Sequence, residues 1–259
     1  MLARRLGRAG EALFSRSRSS WVSDLMLPRA TTTPEHFDPL LIKQTIKAVG
    51  IRTAPAHVGR VLKVFGSDLL KRPAVKSVCV DPETPGLRVV LLEPTKFSAV
   101  QDVDQQLSNK QRELLEELGD TSVVTSDVHL DFRSFSTEEI LASLLPADIA
   151  AVRSFEGIGH IAHLNLRDEH LPHKHLIGEV ILAKNPGLRT VVSKVGNIKS
   201  QFRTFEMEVI AGDDDTEAIV GEGGFRFQLD FRKVYWNSRL GTEHHELATS
   251  FQLDDIVCK

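Results

Sequence analysis

Eighteen residues, Asp230 to Leu247 (DFRKVYWNSRLGTEHHEL), concentrate side chains that could do chemistry. Arg232, Lys233, Tyr235 and Trp236 put cations beside aromatic rings at a strand end, Arg239 adds a second guanidinium, and Glu243 and His244 follow as an acid-histidine pair. LGTEHHEL reads as the start of a helix with Thr242 as N-cap, where acids in the first turn complement the macrodipole. A carboxylate and an imidazole at the mouth of a helix are also placed to handle protons and polar ligand atoms. The segment reads as a site.

Three other clusters carry less. In SQFRTFEMEV, Arg203 alternates onto the same face as Phe205, Met207 and Val209, where a lone arginine usually snorkels or pairs with an acid. GHIAHLNLRDEHLPHKH holds His160, His163, His170, His173 and His175. A zinc site needs three or four such ligands converging. His160 and His163 lie an odd number apart on an expected strand and should face opposite sides, so no metal is expected. GEGGF (Gly221 to Phe225) lies between two strand-like flanks. It therefore reads as a hairpin or a bulge and not as a phosphate-cradling turn, which needs a helix on its far side.

The elements that must position these residues fall into blocks. Residues 1–21 hold five arginines and four serines against the single acid Glu11, with Leu2, Leu6, Leu13 and Phe14 near one helical face. That is transit-peptide composition, assigned to residues 1–30, and it favours the mitochondrial matrix over a plastid, with nucleus and cytoplasm as further compartments. A first mixed domain is expected over 35–133. Its helices include Leu40, Leu41, Ile42, Ile46 and Val49, then Val58 to Leu70, then Val103 to Leu118, with two strands in 76–94 and one over 123–132. Ser136 and Glu139 form a capping box opening a helix that stops before Pro146. A second domain over 136–238 continues with SFEGIGHIAHLNL as strand, HKHLIGEVILAK as helix and three alternating strand patterns. The fold class is α+β or α/β, with two mixed domains, the second on a mainly antiparallel sheet.

With 41% hydrophobic residues among 259, the chain can bury two cores. Cys79 and Cys258 have no ligand or framework spacing, which fits a reducing compartment. No stretch approaches the roughly 20 apolar residues of a membrane span, and a monomer is expected. Removing the +4 of residues 1–30 from the whole-chain charge of −3 leaves the remainder at −7. An acidic body does not attract phosphate globally, so RNA contacts must come from local cations such as Lys194, Lys199, Arg203, Arg232, Lys233 and Arg239.

The blocks SFEGIGHIAHLNLRDEHLPHKHLIGEVIL, NPGLRTVVSKVGNI, SQFRTFEMEVIAG and DFRKVYWNSRLGTEH, in that order, resemble the tRNA (guanine-37-N1)-methyltransferases of eukaryotic and archaeal type. The resemblance implies a tRNA-docking first domain, a second domain on the anticodon side, and a Rossmann-like third domain that binds S-adenosylmethionine. Residues 239–259 would be the truncated start of that third domain. It further implies Glu243 as the base for the N1 proton and Arg203 as the cation for charge on O6. Tyr235, with Trp236 beside it, would contact the flipped guanine, and His244 would touch S-adenosylmethionine. Lys194, Asn197, Lys199, Arg232, Lys233, Trp236 and Arg239 would contact RNA. The family's AGxGPF-like cofactor loop is expected after Asp254 to Cys258, and its asparagine-proline-proline element later still. Lys259 ends the sequence, so a truncated form that binds no S-adenosylmethionine by itself is expected. The alternatives are a non-catalytic tRNA-binding module and a wybutosine-pathway transferase relative.

Overall fold

The computed structural model describes residues 26–195 and 206–252. They form two compact units: Gln44–Leu130 make the body of the first, while Leu27–Lys43 join the chain from Asp131 onward in the second.

In the first unit β1 (Lys43–Thr53), β2 (Val78–Val80), β3 (Arg88–Leu91) and β4 (Ser122–Asp131) make one sheet in the order β2-β3-β1-β4. Helices α1 (Val58–Phe65), α2 (Val103–Gln106) and α3 (Asn109–Leu118) accompany it. Val49, Ile51, Val61, Phe65, Val90 and Leu114 share its core. The helix expected over Leu40 to Val49 is not formed. Leu40 and Leu41 sit exposed in a short 3-10 turn capped by Asp38, and Ile46 and Val49 lie in β1. The reason is long-range: Gly50 to Thr53 pair antiparallel with Leu91 to Arg88, and β-branched Thr45, Ile46, Val49 and Ile51 suit the pleated strand. The expected helix from Val103 to Leu118 is broken in two. Ser108 adopts an extended conformation, accepts a hydrogen bond from the Gln111 amide and starts α3 with a full capping box.

The second unit opens with α4 (Thr137–Leu144), capped by Ser136 and Glu139 as the sequence implies. Strands β5 (Glu156–Ile158), β6 (Ile161–Leu164), β7 (Thr190–Val195) and β8 (Glu206–Gly212) form a sheet in that order. β5/β6 and β7/β8 are antiparallel, whereas β6/β7 is parallel because helix α5 (Lys174–Lys184) makes the crossover between them. Gly178 lets α5 lie close on the sheet, since a Cβ there would approach the Ala211 Cβ to 2.8 Å. β9 (Glu217–Glu222) and β10 (Phe225–Asp230) make a hairpin whose two-residue turn, Gly223 and Gly224, has φ of +59° and +85°. Such a turn demands positive φ at both positions, which glycine adopts freely. Helix α6 (Gly241–Ser250) closes the described chain.

Within this unit the segment before β1 is fastened as a strap. The Ala30 amide donates to the Ser143 carbonyl at 2.8 Å. One carboxylate, Glu179 on α5, accepts from the Phe37 amide at 2.6 Å and meets His36 Nδ1 at 2.9 Å. That carboxylate raises the His36 pKa. Among the described residues no helix is long and apolar enough to cross a membrane.

Candidate functional site

Trp236, His244 and His245 pack on the β9–β10 hairpin through Phe225, Phe227 and Glu222, and the segment that carries them leaves the hairpin at Asp230. Its Oδ1 accepts from the Thr216 hydroxyl at 2.7 Å and from the Arg232 amide at 3.1 Å, while Lys233 Nζ lies 2.8 Å from Oδ2. The Lys233 ammonium and the Thr216 hydroxyl hold the Asp230 carboxyl down at about 2. Arg232 pairs with Asp214 at 2.7 Å. Both cations that the sequence offers to phosphate are thus engaged by acids of the chain itself, and they remain solvent-exposed.

Phe231 turns inward, and the chain then presents Tyr235 and buries Trp236. Tyr235 is 39% exposed, its hydroxyl accepting from Asn237 Nδ2 at 3.0 Å. Trp236 is only 8% exposed and belongs to a core with Ile158, Ile161, Val192, Ala218 and Phe231. Its role as an RNA-facing ring is therefore not what this structure presents. The indole is consumed by packing against Phe227, 5.3 Å away, and by stacking on His244. Among the described residues its Nε1 has no hydrogen-bond partner.

Asn237 Oδ1 accepts from the Arg239 amide at 3.0 Å and so sets a 3-10 turn that delivers the chain into α6. The helix begins at Gly241 with Leu240 as N-cap and no side-chain cap. Thr242 is thus inside the first turn and is not the cap that the sequence indicates, because the 3-10 turn already supplies the entry. Glu243, third residue of α6, is exposed and has no side-chain partner among the described residues. Arg239 is likewise exposed, with no ion pair there.

His244 Nδ1 lies 3.4 Å from Glu222 Oε1, and its ring is 4.3 Å from that of Trp236 at 27°. His245 Nδ1 lies 3.2 Å from the Gly223 carbonyl, with its ring 5.6 Å from Phe225. Glu222 also fills the space beside Gly241, where any Cβ would collide with its Oε1. Sequence reasoning missed Glu222. Its only signal is the two-glycine turn, which places it directly opposite Phe225 and hence at the mouth of α6.

A second group adjoins. Glu156 on β5 accepts from the Ser238 hydroxyl at 3.3 Å and faces His163 Nδ1 at 3.6 Å. Burial pushes the His163 imidazole down, against the upward pull of Glu156. Lys194 lies half-buried on β7 and contributes to the same downward field. Three other histidines of the cluster, His160, His170 and His175, face backbone carbonyls. His170 is buried with Nε2 2.8 Å from the Ala150 carbonyl, His175 Nδ1 meets the Ile210 carbonyl at 2.9 Å, and His160 occupies the β5–β6 turn, not a strand. Among the described residues no three acids, histidines or cysteines converge on a metal position. Arg203, Asn197 and Lys199 lie outside the described residues.

A family profile described as the TYW2 N-terminal domain matches residues 137–216. The tRNA (guanine(37)-N(1))-methyltransferase of Phytophthora infestans is 41% identical over 231 residues, which cover 85% of this chain and 54% of that protein. The human protein of the same name is 34% identical over 221 residues, covering 85% of this chain and 43% of its own. The chain is a homologue of the tRNA (guanine(37)-N(1))-methyltransferases. It spans about half the length of the curated relatives it matches. A solved complex of aTrm5 with tRNALeu shares the fold, with a TM-score of 0.50 at 19% identity over 80% of this chain and 59% of that one. The chain has mixed helix and sheet content with several sheets.

Proposed function

We propose that this chain is the RNA-recognition part of a tRNA methyltransferase that modifies N1 of guanine 37. The observation that carries the reading is 34–41% identity, over about 85% of the chain, to curated proteins of that name. The exposed row Tyr235, Arg239 and Glu243 on one continuous segment is the surface that would meet the nucleotide.

N1 of guanine carries a proton and is a poor nucleophile. As N1 gains its methyl group, the N1–H bond breaks and its proton passes to Glu243, whose carboxylate is exposed and has no side-chain partner among the described residues. The negative charge that builds on O6 as the N1 proton leaves, and that the incoming methyl group cancels, falls to Arg203, since a guanidinium donates in the plane of the oxygen lone pairs. Tyr235 offers its ring to a base drawn from the stack. Lys194, Asn197, Lys199, Arg232, Lys233 and Arg239 would line the approach of the RNA.

S-adenosylmethionine would supply the methyl group. His244, its ring stacked on Trp236 and its Nδ1 facing Glu222, would offer its Nε2 to a polar atom of that cofactor. The transit-peptide composition of residues 1–30 supports a mitochondrial matrix location for the mature monomer.

Filter binding of the leader-free chain to a tRNA carrying guanine 37 tests the reading. Weak binding at low salt is expected. Its absence there would overturn the RNA-recognition role.

A further inference from the structure

Two histidines at the start of α6 hold their Nδ1 atoms toward groups that can only accept. A carboxylate and a peptide carbonyl have no proton to give, so a hydrogen bond to either requires the imidazole to carry its proton on Nδ1. His244 faces the Glu222 carboxylate at 3.4 Å and His245 faces the Gly223 carbonyl at 3.2 Å. Both partners belong to the tip of the β9–β10 hairpin, so this tip grips the first turn of α6 on each side. The ring planes are fixed as well. His244 stacks on Trp236 at 4.3 Å and lies 5.7 Å from Phe227, while His245 lies 5.6 Å from Phe225.

We infer that Glu222 is a positioning residue that acts through His244, holding it as the Nδ1–H tautomer with Nε2 left as a hydrogen-bond acceptor. Glu222 Oε1 lies 3.4 Å from His244 Nδ1 and occupies the space beside Gly241 that a Cβ there would need. A ligand meeting His244 would have to bring an N–H or O–H donor, as an exocyclic amine or a ribose hydroxyl does, and a ligand offering only acceptors would be refused. The identity of that ligand rests on the function proposed above, whereas the tautomer does not.

Nitrogen-15 spectroscopy of the imidazole rings in the 259-residue chain, above the pH at which they titrate, tests this without RNA or cofactor. The parent should show Nδ1 protonated and Nε2 bare in both His244 and His245. Glu222→Ala should move His244 to the Nε2–H form that unconstrained imidazole prefers, while His245, tied to a backbone carbonyl, keeps its Nδ1 proton. Glu222→Gln should restore the parental pattern at His244, because an amide oxygen still accepts. Retention of the His245 signal shows that the variant has folded. A parent with His244 protonated on Nε2, or a Glu222→Ala variant whose His244 keeps its Nδ1 proton with His245 unchanged, would overturn the assignment.

Discussion

His244 lies stacked on Trp236, ring centroids 4.3 Å apart and planes 27° from parallel, so the residue that resembles a cofactor contact is braced by a buried indole. Trp236 thus belongs to the support of the site, and Tyr235 is the ring presented to solvent.

Trp236→Ala should destabilise the second unit by about 3–5 kcal/mol, the usual range for emptying a buried aromatic position. Denaturant unfolding followed by circular dichroism measures it. Tyr235→Ala, at an exposed ring, should shift the same transition by less than about 0.5 kcal/mol.

Asp230 titrates at about 2 in the folded chain against an ordinary 3.8. A depressed carboxyl favours the folded state above the ordinary value and loses that contribution as pH falls through the folded one. The melting temperature should therefore drop between about pH 4 and pH 2 partly through this group. Asp230→Asn should lower stability at neutral pH and flatten that acid limb.

The strap carries the opposite sign. Glu179 raises the His36 pKa, so the contact is at full strength below 6.5 and fades as pH rises through the higher folded value. Hydrogen exchange at the Phe37 amide should quicken with rising pH beyond its intrinsic increase. Glu179→Ala should quicken it at every pH, and His36→Ala should abolish only the pH-dependent part.

Arg239 has no ion pair among the described residues, whereas Lys233 is paired with Asp230. Each phosphate neutralised contributes about −0.9 to the slope of log affinity against log salt, and a few contacts imply roughly −2 to −4 for the chain. Arg239→Ala should reduce that slope by about 1. Lys233→Ala should change it less, because its charge is already partly met.

Much of the scaffold is legible in the residues. Ser136 with Glu139 and the paired glycines after Glu222 each specify a local structure whose rules are short-range, whereas the alternation expected from Thr190 onward fails in Thr190–Val195, where four successive residues are buried because the strand lies inside the sheet. β1 is not legible either, because its apolar spacing suits a helix as well and only pairing with Arg88 to Leu91 decides the matter. The burial of Trp236 is equally silent in YWNSRL, which has no periodicity to assign an inside face. Glu222 reaches α6 only because a hairpin returns the chain there. Arg203, Asn197 and Lys199, read from the family resemblance, lie outside the described residues.

In the proposed reaction the N1 proton passes to Glu243. Single-turnover transfer of a methyl group to N1 of guanine 37 in tRNA, by a version extended to the length of its relatives, tests it most directly. Glu243→Ala and Arg203→Ala should each lower the rate by about 10²-fold or more, the scale for losing a general base or a charge-stabilising donor. Rates within a few-fold of the parent for both variants would contradict the assignment.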